Sequence, residues 1–518
     1  MSDFASEPVR TVPPAYPVGA EAGQPVGGDG WRRLNPRMLL VHPVQEVARA
    51  LLPLVGVFLA GSSSGNGQRW SLLGVAVAVA LGMTRWFTTT YRVTPEQVQV
   101  RRGLLNRRVL TVPRDRVRTV DVTSHALHRV LGLARLTVGT GLSDRKKEDG
   151  LRLDALSTAE AARLRVELLH RGGPGQADQP ASVAAVPETE LAALRPQWVR
   201  YAPFTLSGLV TVGVLGGFAL HTLDQAQIDP ARFGPLRALA EQLGRVPLWL
   251  AVTEATLGLL AVATVASTVG YVLAFWRFRL TRQAGGTLHV TRGLVTARAT
   301  TIEERRLRGV ELSEPLLLRM VRGARCVAIA TGLRVGRGAE HGGSLLLPPA
   351  PLTEAQRVAA AVLGMEEPVR CPLVSHGPQA ARRRYVRALA GAAALVAAAA
   401  TGWRLGLPGW VPVATLAAFP VAVGLGADRY RSLGHALVAG CLVTRWGSLD
   451  RRRCVLATDG VIGWNLRQSF FQRRAGLATL TATTAAGKQH YAVADVEFGT
   501  AVRLADEALP GLLTPFLR

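Results

Sequence analysis

Six apolar stretches, arranged as three pairs, limit what this chain can fold into more than any other feature. They run over 47–62 and 70–86, over 203–221 and 247–275, and over 385–401 and 410–427. The hydrocarbon core of a bilayer calls for roughly 17–25 mostly apolar residues per helix, so each stretch is a candidate span. Arg49, near the start of the first stretch, sits where a long side chain can snorkel to the interface, and the Ala-rich fifth stretch carries Arg387 near its start. Of the 61 Lys and Arg residues, only five lie in the loops inside the pairs: Arg69, Arg232, Arg237, Arg245 and Arg404. Arg32-Arg33, Arg195 with Arg200, and Arg382-Arg383-Arg384 precede the pairs; Arg92, Arg277 with Arg279, and Arg429 with Arg431 follow them. Basic residues collect on the cytoplasmic side. The expectation is therefore a multi-pass membrane protein with both termini and every large polar segment cytoplasmic. Trp70, Trp86, Trp276, Trp403 and Trp410 fall at the stretch ends, as an aromatic belt requires.

Charge and composition narrow the partners. The net charge is +25, which points to a polyanionic neighbour. The chain is also 48% hydrophobic with a mean hydropathy of +0.19, which favours an anionic membrane surface over nucleic acid. Aromatic residues are not interleaved with the arginines as a single-strand binder needs. Lys146, Lys147 and Lys488 are the only lysines. The four cysteines, Cys326, Cys371, Cys441 and Cys454, form no C-x-x-C pair and read as reduced, packed thiols. Residues 1–30 have no apolar core and read as a disordered tail rather than a secretory signal.

The polar segments after the pairs resemble one another. Landmark glycines stand at 103, 293 and 447, and again at 132, 323 and 476, at intervals of 29, 30 and 29 residues. Such spacing defines an internal repeat. Each copy is β-rich. Val98 and Val100 alternate with polar neighbours, Gly103 suits a hairpin turn, and 125–131 reads as a short helical turn. Strand 97–102 is expected to correspond to strand 287–292. Ser157…Glu160 and Thr353…Gln356 read as capping boxes, and Asp495 as an N-cap, each opening a closing helix.

YRVT…VQVRRGLL…VPRDRVRTVDV…LHRVLGLARLTVGT in the first copy and SFFQRRAGLATL in the third resemble the YdbT-like group of bacterial pleckstrin-homology (PH) membrane proteins. Leu40-Val41-His42-Pro43 is similar to that family's lead-in to its first helix. The resemblance covers 31–518 and implies a membrane α plus β fold. Three repeats, each a transmembrane helix pair followed by a PH-like β-sandwich or half-barrel with a C-terminal helix, make six transmembrane helices. The expected division is a tail 1–30; pairs 31–86, 196–276 and 381–427; PH-like domains 87–170, 277–364 and 428–518; and linkers 171–195 and 365–380. Where the first copy has Pro113-Arg114-Asp115-Arg116-Val117, the second has Ile302-Glu303-Glu304-Arg305-Arg306 and the third Ala457-Thr458-Asp459-Gly460-Val461. The resemblance implies no catalytic residues.

Candidate chemistry is sparse. Gly61-Ser62-Ser63-Ser64-Gly65 matches G-x-S-x-G, but a nucleophile elbow needs a strand-turn-helix with His and acid partners, and this lies between two apolar stretches. His125 and His128 have a chelating spacing without a third ligand and read as two partly exposed histidines. Glu254 is a carboxylate inside an apolar stretch, near its outer end. No catalytic, metal or cofactor site is read. The informative charged feature is Arg101, Arg102, Arg107, Arg108, Arg114, Arg116 and Arg118, a candidate contact for anionic lipid headgroups. The expected function is a non-enzymatic membrane scaffold. It presents three PH-like domains to a membrane-protein partner, to another copy or to lipid headgroups. The alternative is a transporter or channel component, which needs polar or broken helices at mid-membrane.

Overall fold

In the computed structural model, the described residues are 31–38, 89–102, 108–114, 117, 119–139, 151–169, 188–205, 247–333 and 344–510, with Ala76, Gly213 and Gly217 besides. Strand β1 is Arg32–Arg33; β2 (Thr90–Val93), β3 (Gln97–Arg102), β4 (Arg108–Pro113) and β5 (Thr119–Ser124) follow. Then come α1 (Ala126–Val130), β6 (Leu133–Gly139), β7 (Leu151–Ser157) and α2 (Thr158–Leu169). A second series holds β8 (Glu188–Ala193), a 3₁₀ stretch over Pro196–Thr205, α3 (Leu248–Phe275), β9 (Arg279–Gln283), β10 (Thr287–Arg292), β11 (Ala297–Glu303) and β12 (Leu307–Pro315). It continues with α4 (Leu316–Met320), β13 (Gly323–Ala330), β14 (Leu345–Pro351), α5 (Leu352–Leu363) and α6 (Glu367–Arg370). The last series is α7 (Gly377–Arg404), α8 (Trp410–Thr415), α9 (Ala418–Arg431), β15 (Gly434–Val438), β16 (Cys441–Trp446) and β17 (Asp450–Ala457). It ends with β18 (Val461–Arg467), α10 (Phe470–Arg474), β19 (Leu477–Thr484), β20 (His490–Glu497) and α11 (Phe498–Ala508).

The sheets do not follow the expected domain boundaries. One holds β1-β2-β3-β4; the next runs β7-β6-β5-β11-β10-β9-β8; the third runs β14-β13-β12-β17-β16-β15; the last is β18-β19-β20. Two antiparallel seams join successive polar segments. Ser124 pairs with Ala297 and Val120 with Thr301 at the first, and Pro315 with Asp450 and Gly309 with Leu456 at the second. The shared sheets are buried on both faces near the seam. On β17, Cys454 and Leu456 enter one core while Val455, between them, enters the other. That is the two-residue period of a strand acting on two cores at once. The linker 171–195 is not linker throughout, because its residues 188–193 form β8 on the edge of β9.

The residues flanking each apolar segment are tied together. Arg32 and Arg33 pair with Tyr91 and Thr90, Glu188–Ala193 pairs with β9, and Val374 bridges His435. Among the described residues three helices are long and apolar enough to cross a membrane: Trp249–Phe275, Gly377–Arg404 and Trp410–Arg431. The expectation of six is not met by them. Stretches 47–62 and 70–86 lie outside the described residues apart from Ala76, and 203–221 is described only to Thr205 and at Gly213 and Gly217. At 1.5 Å per residue the 28 residues of α3 are about 42 Å long, more than a ~30 Å hydrocarbon core. The excess is used inside the protein: Tyr271 and Phe275 are buried, and Tyr271 Oη donates to Pro349 O at 2.9 Å.

Three sequence expectations at helix starts change. Ser157 does accept from Glu160 N at 3.1 Å, but the Glu160 carboxylate reaches Arg32 at 3.1 Å instead of closing the box. α5 opens at Pro351 and α11 at Glu497, neither with a side-chain cap. The complete capping box is Ser469…Gln472, on α10.

Candidate site at the helix exits

The hairpin turn β10–β11 fixes where the apolar helices leave the sheets. Gly293 has φ +103°, and a Cβ there would lie 2.0 Å from Thr296 O, so only glycine fits. Its N–H donates to Trp276 O at 2.9 Å, and Leu294 N donates to Leu273 O at 2.8 Å. The turn therefore sits on the last turn of α3. Gly447, with φ +102° and the same 2.0 Å approach to Asp450 O, makes the equivalent turn β16–β17. There Ser448 Oγ donates to Asp428 on α9 at 2.7 Å.

The arginines singled out from the sequence do not form one patch. Arg101 pairs in register with Thr90, which directly follows the first apolar segment, and its guanidinium lies 4.5 Å from the Trp31 ring centre. Arg102 pairs with Arg108 at the same end of the β3–β4 hairpin. Arg114 is at the other end, donating to Pro95 O at 3.3 Å and to Glu167 O. A strand of six residues separates the two places by about 20 Å. Arg107, Arg116 and Arg118 lie outside the described residues.

Sequence reasoning missed the polar junctions that hold the helix exits. Asp495, read as a helix cap, is buried at φ +59° where the β19–β20 register shifts. Its carboxylate takes ion pairs from Arg383 and Arg384 of α7 and a 2.8 Å hydrogen bond from Gln472 Nε2 of α10. Beside it, His376 Nδ1 donates to Ala494 O at 2.9 Å, leaving Nε2 to accept from His435 Nδ1 at 3.0 Å. Burial, then the neighbouring His435, pushes His376 down to about 4; burial also lowers His435. Both rings are thus neutral at physiological pH. On α9, Asp428 accepts from Arg319 of α4 at 2.8 Å and lies 3.6 Å from Arg451. The only signal in the sequence was the run of arginines at 382–384, which positive-inside charge already explained.

A third junction ties the second seam. The buried Glu311 carboxylate accepts from Lys488 Nζ at 2.7 and 2.8 Å and pairs with Arg452 at 3.3 Å. All four cysteines are buried, and burial pushes Cys326 up to about 12. The partly exposed reading of the histidines holds for His125 alone; His128 is fully buried. No group of three or more metal-ligating side chains occurs among the described residues. Glu254 is half-buried near the start of α3, and residues 61–65 lie outside the described residues.

A family model described as "Bacterial PH domain" matches residues 44–172 and 385–509. Each match runs from an apolar segment through the strands to the closing helix, α2 or α11. The segment from 173 to 384 is not matched, although strands in the same order fill it. No curated protein and no solved structure matches the chain.

Proposed function

We propose, from the two segments that match the bacterial PH domain, that this chain is a non-enzymatic membrane scaffold of three PH-like units on paired transmembrane helices. Six crossings, cytoplasmic units and cytoplasmic termini complete the reading. The seams β5–β11 and β12–β17 carry it. They make the successive units one continuous β-body hung from the helix exits, which suits holding several contacts in fixed order rather than turning over a substrate. The contacts are a membrane-protein partner or another copy of the chain, with anionic lipid headgroups beside Arg101, Arg102 and Arg108.

The described helix hairpin supports a scaffold over a transporter. The facing sides of α7, α8 and α9 carry Gly391, Ala392, Ala414, Ala418 and Ala422, small residues that let helices pack by van der Waals contact. The same faces also carry Thr415 and, toward the start of α7 and the end of α9, Arg387 and Arg429, so the ionisable groups stand near one end of the hairpin, whereas a substrate path would need polar groups at mid-span.

Topology is the first test. In intact cells, a membrane-impermeant maleimide should label Leu405→Cys, in the exposed α7–α8 loop, and should reach Ala284→Cys, at the β9–β10 turn, only after lysis. Labelling of residue 284 from outside, or recovery of the chain outside the membrane fraction, would overturn the proposal.

A further inference from the structure

Each of α1, α4 and α10 has five residues, and the three are built alike. The third residue is buried: His128, Leu318 and Gln472. The fourth is Arg in every case: Arg129, Arg319 and Arg473. The flanks turn outward and carry large apolar side chains. Val130 is 84% exposed, Met320 74%, Phe470 63% and Phe471 72%, with Leu127 and Leu316 exposed as well. Single exposed hydrophobic residues are ordinary. Two large exposed apolar residues flanking the buried third residue in each of three separate elements are not.

All three helices lie at the helix exits. Arg129 donates to Leu294 O at 2.8 Å, in the turn that bonds α3. Leu316 N donates to Leu449 O at 2.7 Å, and Arg319 holds Asp428 of α9. Arg383 of α7 donates to Ser469 Oγ at 3.5 Å, at the cap of α10. The seams place α1 and α4 at the ends of β5 and β12 where β11 and β17 begin, while α10 is placed by its contact with the start of α7. The turns between them add Val295 and Leu449, also exposed.

We infer that α1, α4 and α10 are shallow bilayer contacts that seat the β-body on the leaflet from which the helices emerge, their apolar flanks entering the interface beside exposed arginines that face lipid phosphates. The occupant is the lipid surface because the patch is continuous with the exits of three apolar helices. Exposed Arg322, Arg473 and Arg474 complement an anionic headgroup layer beside it. An interfacial helix sinks roughly 5–10 Å into the headgroup–acyl boundary. Opposite these contacts, the β9–β10 turn at Ala284 lies one strand length away, about 17 Å. The inference rests on reading α3, α7 and α9 as bilayer spans.

The test uses the full chain in lipid discs containing anionic lipid, with an environment-sensitive fluorophore on one introduced cysteine at a time; the four native thiols are buried. Val130→Cys, Met320→Cys and Phe471→Cys should each lose fluorescence to lipids brominated near the headgroup. Val262→Cys, mid-way along α3, should lose it to lipids brominated deep in the chain, and Ala284→Cys to neither. No lipid quenching at 130, 320 and 471, with quenching at 262 intact, would overturn the inference and leave the spans standing. Protection of those three positions from aqueous iodide without lipid quenching would overturn it in favour of a protein partner or a second copy. Absence of quenching at 262 would remove the spans, and the inference with them.

Discussion

His376 shows how a residue can set the strength of a junction through its proton. The folded chain holds it neutral down to about pH 4, whereas an exposed imidazole protonates near 6.5. Between those values the unfolded chain binds a proton that the folded chain refuses, so stability falls as pH falls through that window and is full above it. His435, also lowered, and the neighbouring Arg384 add in the same direction. The whole interval is worth about 3 kcal/mol. We expect amide exchange in β15 and β20 to lose protection between pH 7 and pH 5, and His376→Asn to remove most of that slope. Equal protection at both pH values, after correction for intrinsic exchange, would rule this out. Asp495 belongs to the same junction. Its sequence neighbourhood suggested a cap, yet two arginines from 111 and 112 residues away claim its carboxylate.

At the scale of elements, the hairpin turns and short helices carry the regularity. The left-handed residue after each short helix is Gly132, Arg322 and Gly476; Arg322 and Gly476 stand 29 residues beyond the hairpin glycines Gly293 and Gly447, and Gly132 stands 29 beyond Gly103, which lies outside the described residues. The sequence comparison had placed Gly323 there. Gly323 is glycine for another reason: a Cβ would lie 2.7 Å from both Leu318 and Tyr201 side chains. Gly447 makes the sharper prediction. Its φ of +102° and the approach to Asp450 O both oppose a side chain, so Gly447→Ala should cost about 3 kcal/mol. Gly440, at φ +69° with open space around it, should cost about 1 kcal/mol on the same change. Denaturant midpoints of the two variants in detergent would separate the two positions; equal costs would show that the carbonyl approach does not matter.

Across the whole molecule, the seams mean that the units are not independent domains. A chain ending at residue 170 would strip β5 of its β11 partner, and with it the Arg298–Asp121 ion pair at 3.0 Å and the Thr300 hydrogen bond to Asp121. An unpaired edge recruits another edge. The truncated chain should therefore self-associate in detergent, while a chain ending at Glu303, which keeps the seven-stranded sheet, should not do so through that edge. Light scattering on size-exclusion fractions would tell them apart. A monomeric 1–170 chain with β5 as protected from exchange as in the full protein would contradict the seam.

What the sequence determined by itself is what is written locally. Apolar runs marked α3, α7 and the α8–α9 helix, because membrane-length hydrophobicity is a property of composition along one segment. Alternation placed 97–102 and 287–292 as strands, and 125–131 as a helical turn, because period and turn chemistry act over a few residues. Only the tertiary structure decided which strand edges meet, since backbone donors and acceptors are alike on every edge and β5 finds β11 across more than 170 residues. The same distance hid the site. Arg114 and Arg101 are close in sequence but sit at opposite ends of a hairpin, and the outward faces of three five-residue helices emerge only where packing has buried the residue at their centres.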